Sequence, residues 1–150
     1  MNRRSSLLLA LAVAGGAWLS GCASVPMASM ADDASAKTFI VPPGKSSIYV
    51  YRDETMGGAI PMTVSLNGKV AGQSGPKTYF VFQVDPGSHE IGSIAENTVV
   101  LRVSAEAGKA TFVWQEVKMG LWMARSQLQQ VSEEVGRKGV AECKRAQANF

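Results

Sequence analysis

Side chains typical of nucleophilic or acid–base catalysis are scarce in this sequence. The 150 residues include two cysteines, Cys22 and Cys143, and one histidine, His89. His89 follows Asp85 and Ser88, so one short segment holds a carboxylate, a hydroxyl and an imidazole. Catalytic triads normally gather their members from separate parts of a fold, so that a substrate reaches both the nucleophile and the oxyanion donors. We therefore interpret Asp85 and Ser88 as turn residues and predict no catalytic site.

Cys22 follows a segment typical of export signals. Arg3 and Arg4 precede an uncharged, almost unbroken apolar run over residues 7–19, and this order is that of the n-region and h-region of a signal peptide. A helix that spans a bilayer needs about 20 apolar residues. The run is shorter than a transmembrane helix needs. We therefore predict that it is the apolar part of a signal peptide and that the protein is exported.

The four residues Leu19, Ser20, Gly21 and Cys22 resemble the lipobox of bacterial lipoproteins, which is an apolar residue, two small residues and a cysteine. The resemblance implies diacylation of the Cys22 thiol, cleavage before Cys22 and acylation of the new amino group. Each buried methylene contributes about 0.8 kcal/mol, so several acyl chains hold a protein at a membrane without a spanning helix. A signal peptide that is cut at another bond is the alternative.

The residue after Cys22 bears on the membrane that would receive the protein. It is Ala23, not the aspartate that signals retention in the inner membrane under the sorting rule of such lipoproteins. By similarity to that rule, we expect the periplasmic face of the outer membrane.

The charge of the processed chain argues against a nucleic-acid partner. Loss of residues 1–21 removes Arg3 and Arg4, leaving 13 of the 15 basic residues against 12 acidic ones. Nucleic-acid binders carry clustered lysine and arginine, and no such cluster is present. Roughly 130 remaining residues correspond to one domain by the usual size range.

The remaining soft ligands do not predict a metal site or any other cofactor. Once Cys22 is acylated, Cys143 is the single thiol left and cannot form an internal disulfide; we expect it to be buried, with an intermolecular bridge as the alternative. One histidine without nearby cysteines does not supply the usual zinc ligands. Met27 and Met30 offer thioethers suited to Cu(I), but methionines in a tether are the simpler interpretation.

Aromatic and arginine side chains are the remaining binding candidates. Rings with a polar atom suit glycan or peptide surfaces, although packing in the core is the expected role of most of them. The sharpest candidate is Trp122, between Met119 and Met123, for which packing is also the favoured interpretation. Arg52 and Arg125 end apolar runs, where a solvated or salt-bridged guanidinium is common, and they are retained as possible ligand or partner contacts.

Composition divides the rest of the chain into a tether and a domain. Residues 22–38 are rich in Ala, Ser and Met without a sustained period, which predicts a lipidated N-terminus and a flexible tether. Pro42, Pro43 and Gly44 then break the backbone. We place one domain at residues 39–150.

This domain has the apolar period near two of a β protein. The expected strands are residues 47–52, 61–66, 69–72, 77–84, 89–95, 98–104, 110–117 and 120–127, the last carrying Trp122. Asn67-Gly68 is the strongest hairpin signal. Ser132 can cap a short helix over residues 133–146, with Val135, Gly139 and Cys143 on one face. The expected fold is a mostly β, antiparallel sandwich of the carboxypeptidase-regulatory-like or transthyretin-like kind with a short C-terminal helix.

Several short segments resemble a family of small bacterial lipoproteins, domain-of-unknown-function family 2846. The segments that carry the resemblance are Ile48-Tyr49-Val50-Tyr51-Arg52, Lys77-Thr78-Tyr79-Phe80, Asp85-Pro86-Gly87-Ser88-His89 and residues 117–125. The resemblance covers roughly residues 39–146. It implies an antiparallel β fold on a lipid anchor and no catalytic residues.

These observations predict a non-enzymatic envelope lipoprotein with two kinds of partner. The membrane is contacted through the N-terminal lipid, and the domain presents an edge or an aromatic face to another periplasmic or envelope protein. A small-ligand or cell-wall-binding domain that uses the region of Trp122 is the alternative, and a hydrolase centred on Ser88 and His89 is a distant third. The oligomeric state stays open.

Overall fold

A computed structural model of the chain describes residues 25–55 and 60–150. Its elements, in chain order, are α1 Met30–Ala36, β1 Ser46–Arg52, β2 Met62–Leu66, β3 Lys69–Ser74, β4 Thr78–Val84, β5 Gly87–Ile94, β6 Thr98–Ala105, β7 Ala110–Met119, β8 Ala124–Val131, α2 Glu133–Ala141 and β9 Lys144–Arg145. No helix within these residues is long and apolar enough to cross a bilayer.

The strands form two sheets that face each other. One sheet has the order β8-β7-β1-β4-β9, and the other has the order β3-β2-β5-β6. Most neighbouring strands are antiparallel, but β1 pairs with β7 in parallel and β4 pairs with β9 in parallel. The predicted mostly β, antiparallel sandwich with a short C-terminal helix is therefore confirmed, and the two parallel pairs are the exceptions within it.

Strand alternation determines the two faces of the five-stranded sheet. Ile48, Val50, Phe80 and Phe82 point towards the second sheet and form the main core. Tyr49, Tyr51, Tyr79 and Phe112 point the other way, where the helices α1 and α2 cover them. Since β1 is covered on both faces, all seven of its residues are buried, as in the central strands of three-layered domains.

The Asn67-Gly68 turn is confirmed as a hairpin. Asn67 has φ 51° and Gly68 has φ 80°, the left-handed pair that a two-residue turn between β2 and β3 requires. The Asn67 side chain also accepts a hydrogen bond from the Glu90 amide at 2.9 Å, and this contact joins the turn to β5.

Residues 25–38 are not a flexible tether. Ser29 caps α1 by accepting a hydrogen bond from the Asp32 amide at 3.1 Å, and Met27 forms a β-bridge with Ala146. The Asp33 carboxylate accepts hydrogen bonds from the Tyr79 hydroxyl and the Arg145 amide, each at 2.9 Å. These long-range contacts fasten the segment to the sandwich, so the domain begins well before residue 39.

The C-terminal helix is shorter than predicted. It starts at Glu133 after the predicted cap, Ser132, and ends at Ala141, after which the chain becomes β9. Its buried positions are Gly136, Gly139 and Val140, whereas Val135 is exposed. Gly139 lies on the buried side of the helix, as predicted, but Val135 does not. The helix contacts the sheet through its two glycines and Val140 instead.

Candidate functional site

Both ring nitrogens of His89 contact groups other than the Ser88 hydroxyl, which a triad would need. Nδ1 of the His89 ring lies 2.9 Å from the side-chain nitrogen of Asn67, and Nε2 lies 2.7 Å from the backbone carbonyl oxygen of Asp85. The second contact requires a proton on Nε2, since a carbonyl can only accept. Ser88 stands beside Ser104 of β6 in the strand pairing. Asp85 lies in the turn before β5, as predicted, whereas Ser88 lies in β5 itself and its prediction as a turn residue is wrong.

The described thiol is unsuited to nucleophilic chemistry. Cys143 is buried and its Sγ donates to the Arg52 carbonyl at 3.5 Å. Burial, followed by the nearby charge of Asp53, raises the pKa of Cys143 to about 12, which leaves very little thiolate at neutral pH. The predicted burial is confirmed. Cys22 and its neighbours Leu19, Ser20 and Gly21 lie outside the described residues.

The soft and acidic side chains of the described part do not converge. Within residues 25–55 and 60–150, no group of three His, Cys, Asp or Glu side chains is placed to hold a metal ion. Met30 begins α1 and is almost fully exposed, while Met27 is half-exposed within the bridge to Ala146.

Arg52 is not a surface contact. Its side chain is fully buried between the sheets, where Nη1 donates to the Ile60 carbonyl at 3.0 Å and lies 3.5 Å from the Ser74 carbonyl. Burial lowers the pKa of Arg52. The proposal of a ligand or partner role for this guanidinium is corrected, because inward alternation in β1 carries the side chain into the interior.

Beside Arg52, a row of polar side chains links the two sheets. Gln115 of β7 accepts a hydrogen bond from Ser74 of β3 at 2.5 Å and donates to Ser93 of β5 at 2.7 Å. All of these side chains are buried. Their mutual hydrogen bonds satisfy groups that would otherwise destabilise the interior, so this row is a structural feature.

The largest exposed apolar feature among the described residues is the connection between β7 and β8. We call residues 119–123 the β7–β8 tip. Trp122 is 90% exposed, Leu121 86%, Met119 79% and Met123 52%. The sequence placed Trp122 in a strand and favoured its packing in the core; both expectations are wrong, because β8 begins only at Ala124.

The β7–β8 tip is held in place by a carboxylate from the other sheet. Glu96, in the turn between β5 and β6, accepts hydrogen bonds from the amides of Met123 at 2.9 Å and Trp122 at 3.3 Å. These two amides lower the pKa of Glu96. The backbone of the tip is therefore fixed while its apolar side chains face outward.

A glycine and two cations complete this surface. A β-carbon on Gly120 would overlap the Met123 carbonyl and the Glu96 carboxylate, so the turn closes too tightly for a side chain. Lys118 and Arg125 face each other across the two strands directly below the tip. Arg125 lies 3.5 Å from Glu96 and is about half-exposed, so of the two arginines only Arg125 remains at a surface.

The sequence could not have identified Glu96. It is separated from Trp122 by 26 positions, and the contact depends on how the two sheets face each other. The composition Met-Gly-Leu-Trp-Met was visible, but an apolar turn and an apolar strand cannot be distinguished from composition in so short a segment.

The geometry defines the class of the protein as a two-sheet β domain with helices on one outer face. The family model described as "Protein of unknown function (DUF2846)" matches residues 42–127, which is more than half of the chain. The chain is also 37% identical over 125 residues to an "Uncharacterized protein" of Haemophilus influenzae, an alignment that covers 82% of this chain and 74% of that protein. The chain belongs to the DUF2846 family. The match includes the whole β7–β8 tip.

Proposed function

We propose that this protein is a lipid-anchored lipoprotein of the bacterial envelope, a non-enzymatic protein-interaction or structural module in the periplasm. The observation that carries the proposal is Cys22 after Leu19-Ser20-Gly21, at the end of a charged and then apolar leader. Ala23 supports the outer membrane as the destination.

The surface chemistry of the domain agrees with a role without catalysis. His89 is occupied by turn contacts, and Cys143 is protonated and enclosed. The exposed apolar residues instead gather at the β7–β8 tip, and large exposed apolar patches mark surfaces of interaction.

Mass spectrometry of the mature N-terminus, together with membrane fractionation, tests the anchor. We expect an acylated Cys22 as the first residue and sedimentation with the outer membrane. In a matched Cys22→Ser variant, processing should stop and the envelope association should change. Unaltered processing and sedimentation of that variant would refute the proposed anchor.

Crosslinking in cells followed by purification of the acylated protein tests the interaction module. We expect a partner protein in stoichiometric amount. Repeated failure to recover one, with the protein itself intact and in the envelope fraction, would contradict the interaction role.

A second candidate, a small-ligand or cell-wall-binding domain, is favoured by the exposure of Trp122. Peptidoglycan fragments that stack on this indole should shift its fluorescence, and a Trp122→Phe variant should lose the change. A panel of fragments that leaves the spectrum unaltered would exclude this candidate.

A further inference from the structure

The β7–β8 tip carries its apolar side chains outward on a fixed backbone. A flexible loop can fold its exposed side chains back onto the protein surface. Here the amides of Trp122 and Met123 are hydrogen-bonded to Glu96, and Gly120 allows the turn to close tightly. The exposure of Leu121 and Trp122 is therefore a consequence of the fixed backbone conformation of the tip.

The position at which the chain enters the domain relates this tip to the anchor. Val25 packs against Gly75, with its Cγ2 3.2 Å from the place that a β-carbon on Gly75 would take. Gly75 directly follows β3, which runs in the same direction as β5 towards Glu96 and the tip. Ser74, the last residue of β3, is hydrogen-bonded to Gln115, four residues before β7 ends. The chain therefore enters at the same end of the sandwich as the tip.

Only a short stretch of chain separates this entry point from Cys22. Three residues extend over at most about 10 Å, and residues 25–38 are fastened to the sandwich rather than free. A lipid on Cys22 would thus bring this end of the domain to the bilayer surface. From the level of Gln115, the four further residues of β7 extend by about 13 Å, so the tip lies beyond the entry point together with the β5–β6 turn whose Glu96 holds it.

We propose that the β7–β8 tip inserts its indole, leucine and methionine side chains into the interface of the lipid bilayer that holds the anchor. This inference rests on the proposed lipid anchor. Tryptophan favours the boundary between headgroups and acyl chains, and Leu121 and Met119 supply the apolar surface for the acyl side. Lys118 and Arg125, about half-exposed below the tip, lie where lipid phosphates would be.

The shape of the tip favours a bilayer over a protein as the occupant. A stable protein interface has about 20–30 residues on each side, whereas this surface is a projecting turn of five residues. The acyl chains already provide retention at the membrane, so the effect of the tip is to fix the orientation of the domain against the bilayer.

Tryptophan fluorescence in vesicles with brominated lipids tests the insertion. The acylated protein is reconstituted in two forms: Trp114→Phe leaves Trp122 as the reporter, and Trp122→Phe leaves Trp114 as the matched control. Both are expressed with Trp18→Phe, so that any chain that keeps its leader adds no emission. Lipids brominated near the headgroup end of the acyl chain should remove about half or more of the Trp122 emission, as expected for an interfacial indole. The Trp114 emission should not change, because its indole donates to Asp53 within the domain.

Acylation of Cys22 is measured on the same samples by mass spectrometry, which separates this inference from the proposed function. Acylated protein whose Trp122 is not quenched would overturn the insertion and leave the anchor standing. If Cys22 is not acylated, the same vesicles are added to the protein from outside; quenching would then support the insertion without the anchor, and unchanged emission would overturn it. Shielding of Trp122 in native envelopes but not in protein-free vesicles would identify a protein occupant and overturn it as well.

Discussion

Two glycines determine how closely α2 approaches the sheet. A β-carbon on Gly139 would overlap the ring of Tyr51, and one on Gly136 would overlap the ring of Phe112. The sequence showed these glycines only as weak points of a helix, since glycine costs about 0.5–1 kcal/mol relative to alanine there. In the structure they are the surface on which the tyrosine and phenylalanine rings lie.

Replacing Gly139 by alanine should therefore destabilise the protein despite the better helix former. Overpacking a filled interior costs about 1–3 kcal/mol, which exceeds the gain in helix propensity, so we expect a net loss of about 1–2 kcal/mol in the free energy of unfolding. Urea denaturation measures it. The control is Val135→Ala on the exposed side of α2, which should change stability by about 0.5 kcal/mol or less. Greater stability of the Gly139→Ala variant would show that α2 is not in contact with Tyr51.

Cys143 should be inert in the folded protein. Its pKa, raised to about 12 chiefly by burial, leaves almost no thiolate at pH 8, and the thiolate is the reactive form. We expect the peptide that contains Cys143 to remain unalkylated by iodoacetamide in native protein and to react fully in urea, as read by mass spectrometry. Rapid native labelling would mean that the region between α2 and β9 opens readily.

At the scale of elements, the sequence predicted a helix, strand or turn well when the interactions that determine it lie between residues close together in the chain. The turn at Asn67-Gly68 and the cap at Ser132 were identified because each signal lies within a few residues. Strands β1 to β7 were identified from alternation, whereas β8 was placed four residues too early and β9 was missed because its residues were assigned to the C-terminal helix. The packing of α1 was missed because its contacts, such as that of Asp33 with Arg145, join residues 112 positions apart.

The candidate site shows the same division. Trp122 and Arg125 were identified by residue type, but their exposure follows from the end of β7 at Met119 and from the contact with Glu96. Arg52 was kept as a possible surface contact because it ends an apolar run, and its burial is a consequence of the direction in which β1 alternates. To predict which way a side chain points at the end of a strand, one needs the register of that strand with its neighbours. The sequence of a single segment does not contain this information.

The contact of Glu96 with the β7–β8 tip should depend on pH. The amides of Met123 and Trp122 lower its pKa from the ordinary 4.5, so the folded state favours the carboxylate. Its contribution to stability is complete above pH 4.5 and is lost as the pH falls through the lowered value. A Glu96→Gln variant should therefore be less stable than the parent at neutral pH, and the difference in free energy of unfolding should shrink on acidification.

Chemical denaturation at a series of pH values provides the measurement for Glu96. The matched control is Glu134→Gln, which removes an exposed carboxylate from the first turn of α2 and leaves the tip unchanged. A pH profile of the Glu96→Gln variant that runs parallel to the parent would contradict a carboxylate-specific contact.

At the scale of the whole molecule, the two sheets are joined by polar as well as apolar contacts. Gln115 bonds to Ser74 and Ser93 of the opposite sheet, inside an interior otherwise filled by the main core. Removing one partner of a buried hydrogen bond leaves the other unsatisfied, and the cost is about 1–3 kcal/mol. The row is thus sensitive to a change in any one member.

A Gln115→Ala variant should lose about 2 kcal/mol or more of the free energy of unfolding, since a cavity remains and the Ser93 hydroxyl loses the donor it accepts from. The Ser74 hydroxyl keeps only its longer contact with the Met62 carbonyl, at 3.3 Å. Thermal or urea unfolding measures the loss. Gln127→Ala on the exposed side of β8 is the control and should be nearly neutral. Equal stability of the two variants would mean that water replaces Gln115 without penalty.

The bridge between Met27 and Ala146 has a consequence for the order in which the chain can assemble. Residues 25–38 are synthesised early, yet the groups that receive them are made more than 100 positions later: the Arg145 carbonyl accepts from Ala28, and the Cys143 carbonyl accepts from Lys37. Pairings between distant parts of a chain form late and slowly. Residues 25–38 therefore cannot dock against the sandwich before residues 143–146 have been synthesised, and the two ends of the described domain must come together as one late step of folding.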